Sequence, residues 1–170
     1  MGFKRGLDDP SNRLASWVGE DCCSGWEGVG CHNLTRHVLS LHLSCPLPYS
    51  DDDRILYLGG DIFKSVAHLR QLQSMDLSGI YFGGAPISDL FASFANLRYL
   101  NLSNTGFSGG IPPQLGNLSN LRYLDLSGAG LGGGIPPQLG NLSNLRYLDL
   151  SGAGLGGGIP PQLGNLSNLR

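Results

Sequence analysis

The sequence predicts an α/β solenoid: a right-handed superhelix with a parallel β-sheet on its concave side, a 3₁₀ or extended path on its convex side and a short helical N-terminal cap. Residues 121–144 and 145–168 are identical, residues 97–120 repeat the unit with a few substitutions, and residues 72–96 are a looser copy. A period of roughly 20–30 residues with leucines at fixed offsets is typical of solenoids. Because a solenoid presents one long surface, this fold favours binding over catalysis.

Each unit is predicted to contain one short strand and one tight return path. In the unit at 121–144, side chains of the strand alternate between core and surface, with Leu124 and Leu126 pointing inward. Pro136 and Pro137 lack backbone donors, which favours a 3₁₀ or extended return path on the convex side. The core lining is completed by Leu131, Ile135, Leu139 and Leu142, and the outward strand positions are Tyr123, Asp125 and Ser127.

The repeats follow an N-terminal cap at 1–37, which contains a cysteine cluster. Asp9, followed by proline, predicts a helix start, because Asp caps helices and Pro suits the first helical position. Leu14 and Trp17 would lie on one face of a short amphipathic helix over 13–18 that covers the open end of the solenoid. About five repeats follow, at 38–71, 72–96, 97–120, 121–144 and 145–168, with a truncated sixth.

The first repeat contains an irregular segment. Val38–Leu43 alternates apolar and polar residues and predicts the first strand. Residues 45–56 hold two prolines and the acidic run Asp51–Asp53, which predicts a loop that bulges from the repeat. The acidic run fits a solvated loop tip better than a cation or ligand contact.

Composition excludes several classes of function. The 170 residues carry a net charge of −2, so a basic footprint for nucleic acid is absent from the sequence. The sequence has no run of 18 or more apolar residues, so we expect no membrane segment. Met1–Arg5 lacks the apolar region of a secretory signal peptide, and residue 170 lies just inside a sixth unit. We therefore expect a piece of a longer protein, whose open end at Leu169 self-associates or frays.

The sequence predicts no enzyme, cofactor or metal site. Its histidines, at positions 32, 37, 42 and 68, accompany no partnered nucleophile or paired carboxylates. Gly128–Gly133 fits the dinucleotide pattern G-x-G-x-x-G, but the segment Ile135-Pro136-Pro137 follows where a helix is needed, so we interpret it as a repeat turn. The four cysteines crowd into 22–45 at spacings that fit no common zinc pattern, even with His32 nearby. Disulfides, the favoured interpretation, imply an oxidising compartment.

The repeat pattern LxxLxLSxxxLxGGIPxxLGNLxxL resembles the plant-specific subclass of leucine-rich repeats, and its Gly-Ile-Pro segment is the most distinctive part. Residues 3–31 are similar to the N-terminal cap of plant receptor-like proteins and receptor kinases. The resemblance implies a secreted or cell-surface ectodomain that binds a peptide, glycan or protein ligand, or a co-receptor. It also implies a disulfide between Cys23 and Cys31, and leaves Cys22 either free or bonded to Cys45.

The chain departs from the family pattern in ways that raise two other functions. Family members usually place an Asn nine residues into each unit, where this chain has Ile80, Thr105, Ala129 and Ala153. Backbone groups left unpaired there would cost roughly 1–3 kcal/mol each unless water or a shifted turn serves them. The identical units indicate consensus design or recent duplication, hence an alternative function as a repeat scaffold without a native ligand. Ice binding is a weaker alternative, because the outward columns lack flat threonine arrays.

Outward strand positions are the candidate ligand-binding residues. Asp125 and Asp149 would lie side by side, which is unfavourable unless the flanking arginines or a basic ligand relieve it. Tyr and Arg are enriched at binding hot spots, although copied consensus residues without an evolved ligand are the alternative. A specific site would then use the irregular part: His42, the loop 45–57 and Tyr81-Phe82. The candidates are Tyr99, Tyr123, Tyr147, Asp76, Asn101, Asp125, Asp149, Arg98, Arg122, Arg146 and His42.

Five Asn-x-Ser/Thr sequons support a secreted origin, because this motif accepts N-linked glycans. A repeat that contains Asn-Leu-Ser copies the motif automatically, so the last three sequons carry less weight. A glycan on Asn101 would lie on the exposed face of a strand and block the concave surface. The predicted glycosylation sites are Asn33, Asn101, Asn117, Asn141 and Asn165.

Overall fold

The computed structural model describes residues 7–9, 12, 14–19, 21–44, 59–60 and 66–170. Among them lie a short α-helix near the N-terminus and eight strands, with a 3₁₀ helix after each of the last four strands. In chain order the elements are β1 (Leu7–Asp8), α1 (Cys22–Gly25), β2 (Val29–Cys31), β3 (Val38–His42), β4 (Gly59–Gly60), β5 (Ser74–Asp76), β6 (Tyr99–Asn101), β7 (Tyr123–Asp125) and β8 (Tyr147–Asp149). The predicted strand at Val38–Leu43 is therefore confirmed as β3.

Six of the strands form one sheet in the order β2-β3-β5-β6-β7-β8. From β3 onward all neighbours are parallel, which confirms the predicted solenoid. β2 pairs with β3 in the antiparallel direction and was not predicted. It depends on Gly28, whose φ of +79° and close approach to the His42 carbonyl leave no room for a side chain. The short strands β1 and β4 pair separately.

The core lies behind the sheet and follows the leucine offsets. In the unit at 121–144, the side chains of Leu121, Leu124, Leu126, Leu139 and Leu142 are completely buried. Leu131 is also buried, and Ile135 is half-buried against the same core, so the predicted lining is confirmed. Leu148, Leu150, Leu155 and Leu163 of the following unit are only partly buried.

The convex side is built from 3₁₀ helices, as the proline pairs predicted. They span Asp89–Ser93, Pro113–Asn117, Pro137–Asn141 and Pro161–Asn165. In each of the last three, a proline occupies the first turn. Backbone N–H groups of the first turn have no acceptor within the helix, so a proline there costs no hydrogen bond. The backbone N–H of Leu139 donates to the Pro136 carbonyl (3.1 Å), and that of Leu142 donates to the Leu139 carbonyl (3.1 Å).

The cap covers the first coil with two tryptophans. Trp17 and Trp26 stack with ring centroids 4.8 Å apart, and both are buried. As predicted, Leu14 and Trp17 face the core, and the Asp9 carboxylate accepts a hydrogen bond from the Leu14 amide (2.8 Å). However, the described residues of 13–18 form turns rather than a helix, and the cap helix α1 lies further along the chain. Pro10, Arg13 and the loop at 45–57 lie outside the described residues.

The ninth residue of each unit, where the family usually has Asn, is a buried residue without a side-chain amide. Ile80, Thr105, Ala129 and Ala153 are all inside the core, and the Thr105 hydroxyl donates to the Leu102 carbonyl (2.6 Å). Coil-to-coil bonds are instead made by the backbone, as where the Gly128 amide donates to the Ser151 carbonyl (2.9 Å). The cost expected from the missing asparagines stays a prediction.

A different asparagine column ties the coils together. The last residue of each unit donates from its side-chain amide to a carbonyl of the preceding coil at 2.7–3.0 Å. The unit-end asparagines are Asn96, Asn120, Asn144 and Asn168, and the carbonyls belong to Arg70, Ala95, Ser119 and Ser143. This column was not predicted, although its signal is present in the sequence as the Asn that precedes the first Leu of a repeat.

Candidate functional site

The register of the sheet brings the predicted outward residues into columns. Tyr99, Tyr123 and Tyr147 are direct neighbours, and Ser74 extends their column toward the cap. We call these three tyrosines the Tyr ladder. The adjacent column, which we call the acidic row, contains Asp76, Asn101, Asp125 and Asp149, with His42 opposite Asp76 at its cap end.

The rings of the Tyr ladder stack face to face. Ring centroids of Tyr99 and Tyr123 are 4.4 Å apart and those of Tyr123 and Tyr147 are 4.3 Å apart, with interplanar angles of 13° and 2°. Because stacked rings cover each other's faces, the ladder presents ring edges and hydroxyls to solvent. Tyr147, at 39% exposure, is the most open of the three.

The acidic row is held by hydroxyls and amides. The carboxylate of Asp125 accepts from the Ser127 amide (2.9 Å), the Ser127 hydroxyl (2.7 Å) and the Tyr123 hydroxyl (3.3 Å). Asp149 accepts from Ser151 and Tyr147 in the same way, and Asp76 from Ser78 and Tyr99. Asp125 points outward as predicted, yet it is only 8% exposed because the neighbouring side chains cover it.

These contacts shift the pKa values of both columns. Burial, and second the negative charge of Asp125, raise the pKa of Tyr123 above its ordinary value. Loss of hydration likewise raises the pKa of Tyr99 and of Tyr147. Hydrogen bonds from the Ser151 hydroxyl and amide lower the pKa of Asp149. The tyrosines therefore keep their protons, and Asp149 keeps its charge, over a wider pH range than usual.

The arginines lie one residue before each strand and are exposed: Arg98, Arg122 and Arg146. Across the described part of the chain, the ion pair within 4.0 Å is Arg36 with Asp21 in the cap, and none joins the arginines to the acidic row. The predicted repulsion between Asp125 and Asp149 is therefore offset by serine and tyrosine donors instead. The arginine charges remain directed to solvent beside the Tyr ladder.

The cap end of the face is less regular. His42 Nε2 lies 2.7 Å from the Ser74 hydroxyl, and its ring is 6.4 Å from that of Tyr99. Tyr81 is 41% exposed, whereas Phe82 is buried in a stack with Phe107. Of the irregular candidate site, His42 thus joins the concave face while Phe82 belongs to the core.

The cysteines of the cap are arranged as the resemblance implied. Cys23 and Cys31 form a disulfide that links α1 to β2, and Cys22 is a free thiol within the described residues. The sulfurs of all three lie within 4.8 Å of one another, but two of them are already bonded together. His32 instead accepts hydrogen bonds at Nδ1 from the Leu34 and Thr35 amides. Cys45 lies outside the described residues.

The predicted glycosylation sites fall into two environments. Asn33 lies in an exposed turn, and three others lie exposed at the ends of 3₁₀ helices on the convex side: Asn117, Asn141 and Asn165. Asn101 is half-buried in the acidic row, where its carbonyl accepts from the Ser103 amide (3.0 Å). Glycosylation itself stays a prediction at all five.

Family models match three parts of this fold. Residues 1–32 match the leucine rich repeat N-terminal domain, residues 95–132 match leucine rich repeats in two copies, and residues 144–166 match a leucine rich repeat. Receptor-like protein EIX2 of Solanum lycopersicum is 38% identical over 118 residues, which are 67% of this chain. A chain in the crystal structure of the BIR3–SERK2 complex from Arabidopsis thaliana superposes with a TM-score of 0.82 at 34% identity, over 99% of this chain and 90% of that one. The chain belongs to the leucine-rich-repeat family of plant receptor-like proteins.

Other solved structures have similar TM-scores. The leucine-rich-repeat ectodomain of GASSHO1/SCHENGEN3 from Arabidopsis thaliana, solved in complex with CASPARIAN STRIP INTEGRITY FACTOR 2, has a TM-score of 0.82 at 31% identity, over 96% of this chain and 18% of that one. A plant ice-binding protein has a TM-score of 0.81 at 33% identity, over 99% of this chain and 54% of that one. This leucine-rich-repeat chain spans 11% of the length of EIX2. In the described residues, no helix is both long and apolar enough to cross a membrane.

Proposed function

We propose that this chain is the N-terminal part of a plant cell-surface receptor ectodomain, exposed to the extracellular side, and that it binds a ligand rather than catalysing a reaction. The relatives are receptor-like proteins, and the GASSHO1/SCHENGEN3 ectodomain was solved with a bound partner. The disulfide between Cys23 and Cys31 supports an oxidising, extracellular compartment. A co-receptor would be a second partner of the same ectodomain.

The concave face is the proposed binding surface, and the Tyr ladder carries that proposal. Three stacked aromatic side chains, two half-buried and Tyr147 exposed, lie between a row of arginines and a row of carboxylates. Tyr and Arg side chains dominate binding hot spots, because they combine apolar area with hydrogen-bonding groups. Rings held in a stack lose little further conformational freedom when a ligand binds, which lowers the entropic cost. A peptide or protein is the favoured ligand, and a glycan is the alternative.

The test uses selected ligands and matched variants. A library of random linear peptides is panned against the chain, and the affinity of each selected peptide is measured for Tyr147→Ala, Asp149→Asn and Gln138→Ala. The first two change the concave face, whereas Gln138 is exposed on the convex side. We expect the concave substitutions to weaken binding about tenfold or more, as loss of a hot-spot contact does. Equal losses with Gln138→Ala, or none with the concave variants, would contradict the proposal; a glycan array tests the alternative.

A repeat scaffold without a native ligand is a second candidate, favoured by the identity of 121–144 and 145–168. Stability in such arrays is a sum of repeat and interface contributions. Deleting or adding one of these units should therefore change the free energy of unfolding by a nearly constant increment. Irregular increments would count against a scaffold.

Ice binding is a third candidate, favoured by the structural likeness to a plant ice-binding protein. The Tyr ladder and the acidic row contain no threonine, so a flat threonine array is absent from these columns. Thermal hysteresis of a solution of the chain is the direct measurement. A freezing point equal to the melting point would exclude this function.

A further inference from the structure

The Tyr ladder places reactive carbons of neighbouring coils opposite one another. The rings of Tyr123 and Tyr147 are nearly parallel, with centroids 4.3 Å apart. Both rings extend from paired strand positions, and each hydroxyl donates to the aspartate of its own coil, so the two rings point in the same direction. The carbons ortho to the two hydroxyls therefore lie near one another. Tyr99 and Tyr123 repeat the arrangement at 4.4 Å. Sheet register holds these pairs together, since the three residues are direct backbone neighbours.

The surroundings of each ring favour loss of an electron together with a proton. A phenol that loses an electron becomes strongly acidic, and the hydroxyls of Tyr123 and Tyr147 donate to the carboxylates of Asp125 and Asp149 at 3.3 Å. The carboxylate can accept that proton and pass it to solvent. The face of the adjacent ring also stabilises the transient positive charge, as ring faces do for other cations. Tyr147 is accessible to an oxidant from solvent.

We propose that the Tyr ladder is an oxidative modification site, where a haem peroxidase using hydrogen peroxide joins tyrosines of adjacent coils into an intramolecular dityrosine. Each of two tyrosines loses one electron and its phenolic proton, which gives two neutral radicals. A carbon–carbon bond forms between ortho carbons, and each ring then moves its ortho hydrogen to the oxygen and becomes a phenol again. The peroxide takes the two electrons and two protons and leaves as two water molecules.

The product is a covalent link across the sheet. It would fix two successive coils at their exposed face and reshape the ring edges that the ladder presents. The disulfide of the cap supports folding in an oxidising compartment, where such an oxidant can act. This inference does not depend on the proposed ligand-binding function, because it needs neither a ligand nor a receptor partner.

The experiment treats the dilute chain with a haem peroxidase and hydrogen peroxide, separates monomer from dimer, and measures dityrosine fluorescence and fragment masses. Trypsin cuts after Arg98, Arg122 and Arg146, so each ladder tyrosine begins its own peptide: 99–122, 123–146 and 147–170. We expect the monomer to yield pairs of these peptides joined with the loss of two hydrogen atoms. Because 123–146 and 147–170 are identical in sequence, substitutions must assign the pairs.

Conservative variants decide the outcome. Tyr123→Phe keeps a stacked ring but separates Tyr99 from Tyr147 by two coils, so joined ladder peptides in the monomer should fall at least about tenfold. Tyr147→Phe should leave the Tyr99–Tyr123 pair, and Tyr81→Phe, outside the ladder, should leave both pairs. A yield in Tyr123→Phe equal to that of the parent would overturn the proposal. Dityrosine confined to the dimer fraction would do the same, since it would report random collisions.

Discussion

Substitution of one buried glycine should show how tightly successive coils are packed. Gly140 lies in the 3₁₀ helix Pro137–Asn141, and a Cβ added to it would lie 2.7 Å from the carbonyl carbon of Gln162 and nearer still to its oxygen. Real Cβ atoms essentially never come closer than 3.0 Å, so Gly140→Ala forces the two coils apart by at least 0.3 Å, the difference between 3.0 and 2.7 Å. Overpacking of this kind costs about 1–3 kcal/mol.

The next repeat supplies a matched control in the same chain. Gly164 has the same sequence neighbours in Pro161–Asn165, but a Cβ there meets nothing within 4 Å. Neither glycine has a positive φ, so alanine is compatible with both backbones. Gly164→Ala should therefore leave the free energy of unfolding unchanged or raise it by up to about 1 kcal/mol, because alanine reduces the conformational entropy of the unfolded chain. Urea unfolding followed by circular dichroism measures both, and thermal midpoints should differ by roughly 2–4 °C per kcal/mol. Equal stabilities, within about 0.5 kcal/mol, would refute the packing argument.

Three further outcomes follow from the contacts described above. Asn144→Ala leaves the Ser119 carbonyl without its donor and should cost about 0.5–1.5 kcal/mol in urea unfolding. The contribution of the Tyr ladder to the free energy of unfolding should be fully present below pH ~10, where the tyrosines are protonated in both states. It should be lost as pH rises through the raised pKa values of the folded chain, because the unfolded chain loses these protons first. Tyr123→Phe should reduce this loss in unfolding curves measured at alkaline pH. Replacing both Cys23 and Cys31 by Ser should cost about 2.5 kcal/mol, the loop-closure entropy for a separation of 8 residues, and should make stability insensitive to reductant.

The repeated part of this fold could be predicted from sequence because the same leucines and prolines recur at the same positions in successive units. Leucine offsets placed Leu124 and Leu126 in the core, and the proline pairs placed the 3₁₀ helices on the convex side. The period also predicts that equivalent residues of successive strands lie side by side. The columns that form the Tyr ladder and the acidic row could therefore be predicted from sequence. The hydrogen bonds of the acidic row could not be predicted in this way. Whether arginines or hydroxyls donate to the carboxylates depends on side-chain conformations, which the repeat pattern does not specify.

The cap was harder to predict because it does not repeat. A helix over 13–18 was expected from Leu14 and Trp17, but tryptophan stacking satisfies those side chains in turns. β2 is a three-residue strand with a central glycine, and such segments carry almost no periodic signal. Its pairing depends on tertiary contact with β3, which local propensity cannot reveal.

The identity of the two units has a consequence for any molecule that lies along the concave face. A ligand seated on Tyr123 and Asp125 finds the same side chains, at the same spacing, after sliding one coil to Tyr147 and Asp149. The ligand would bind the two positions with nearly equal affinity. The duplicated units alone therefore do not fix a ligand at one position along the sheet. Among the described residues of the concave face, the unlike side chains at the cap end, such as His42, Ser74 and Asn101, distinguish one register from another.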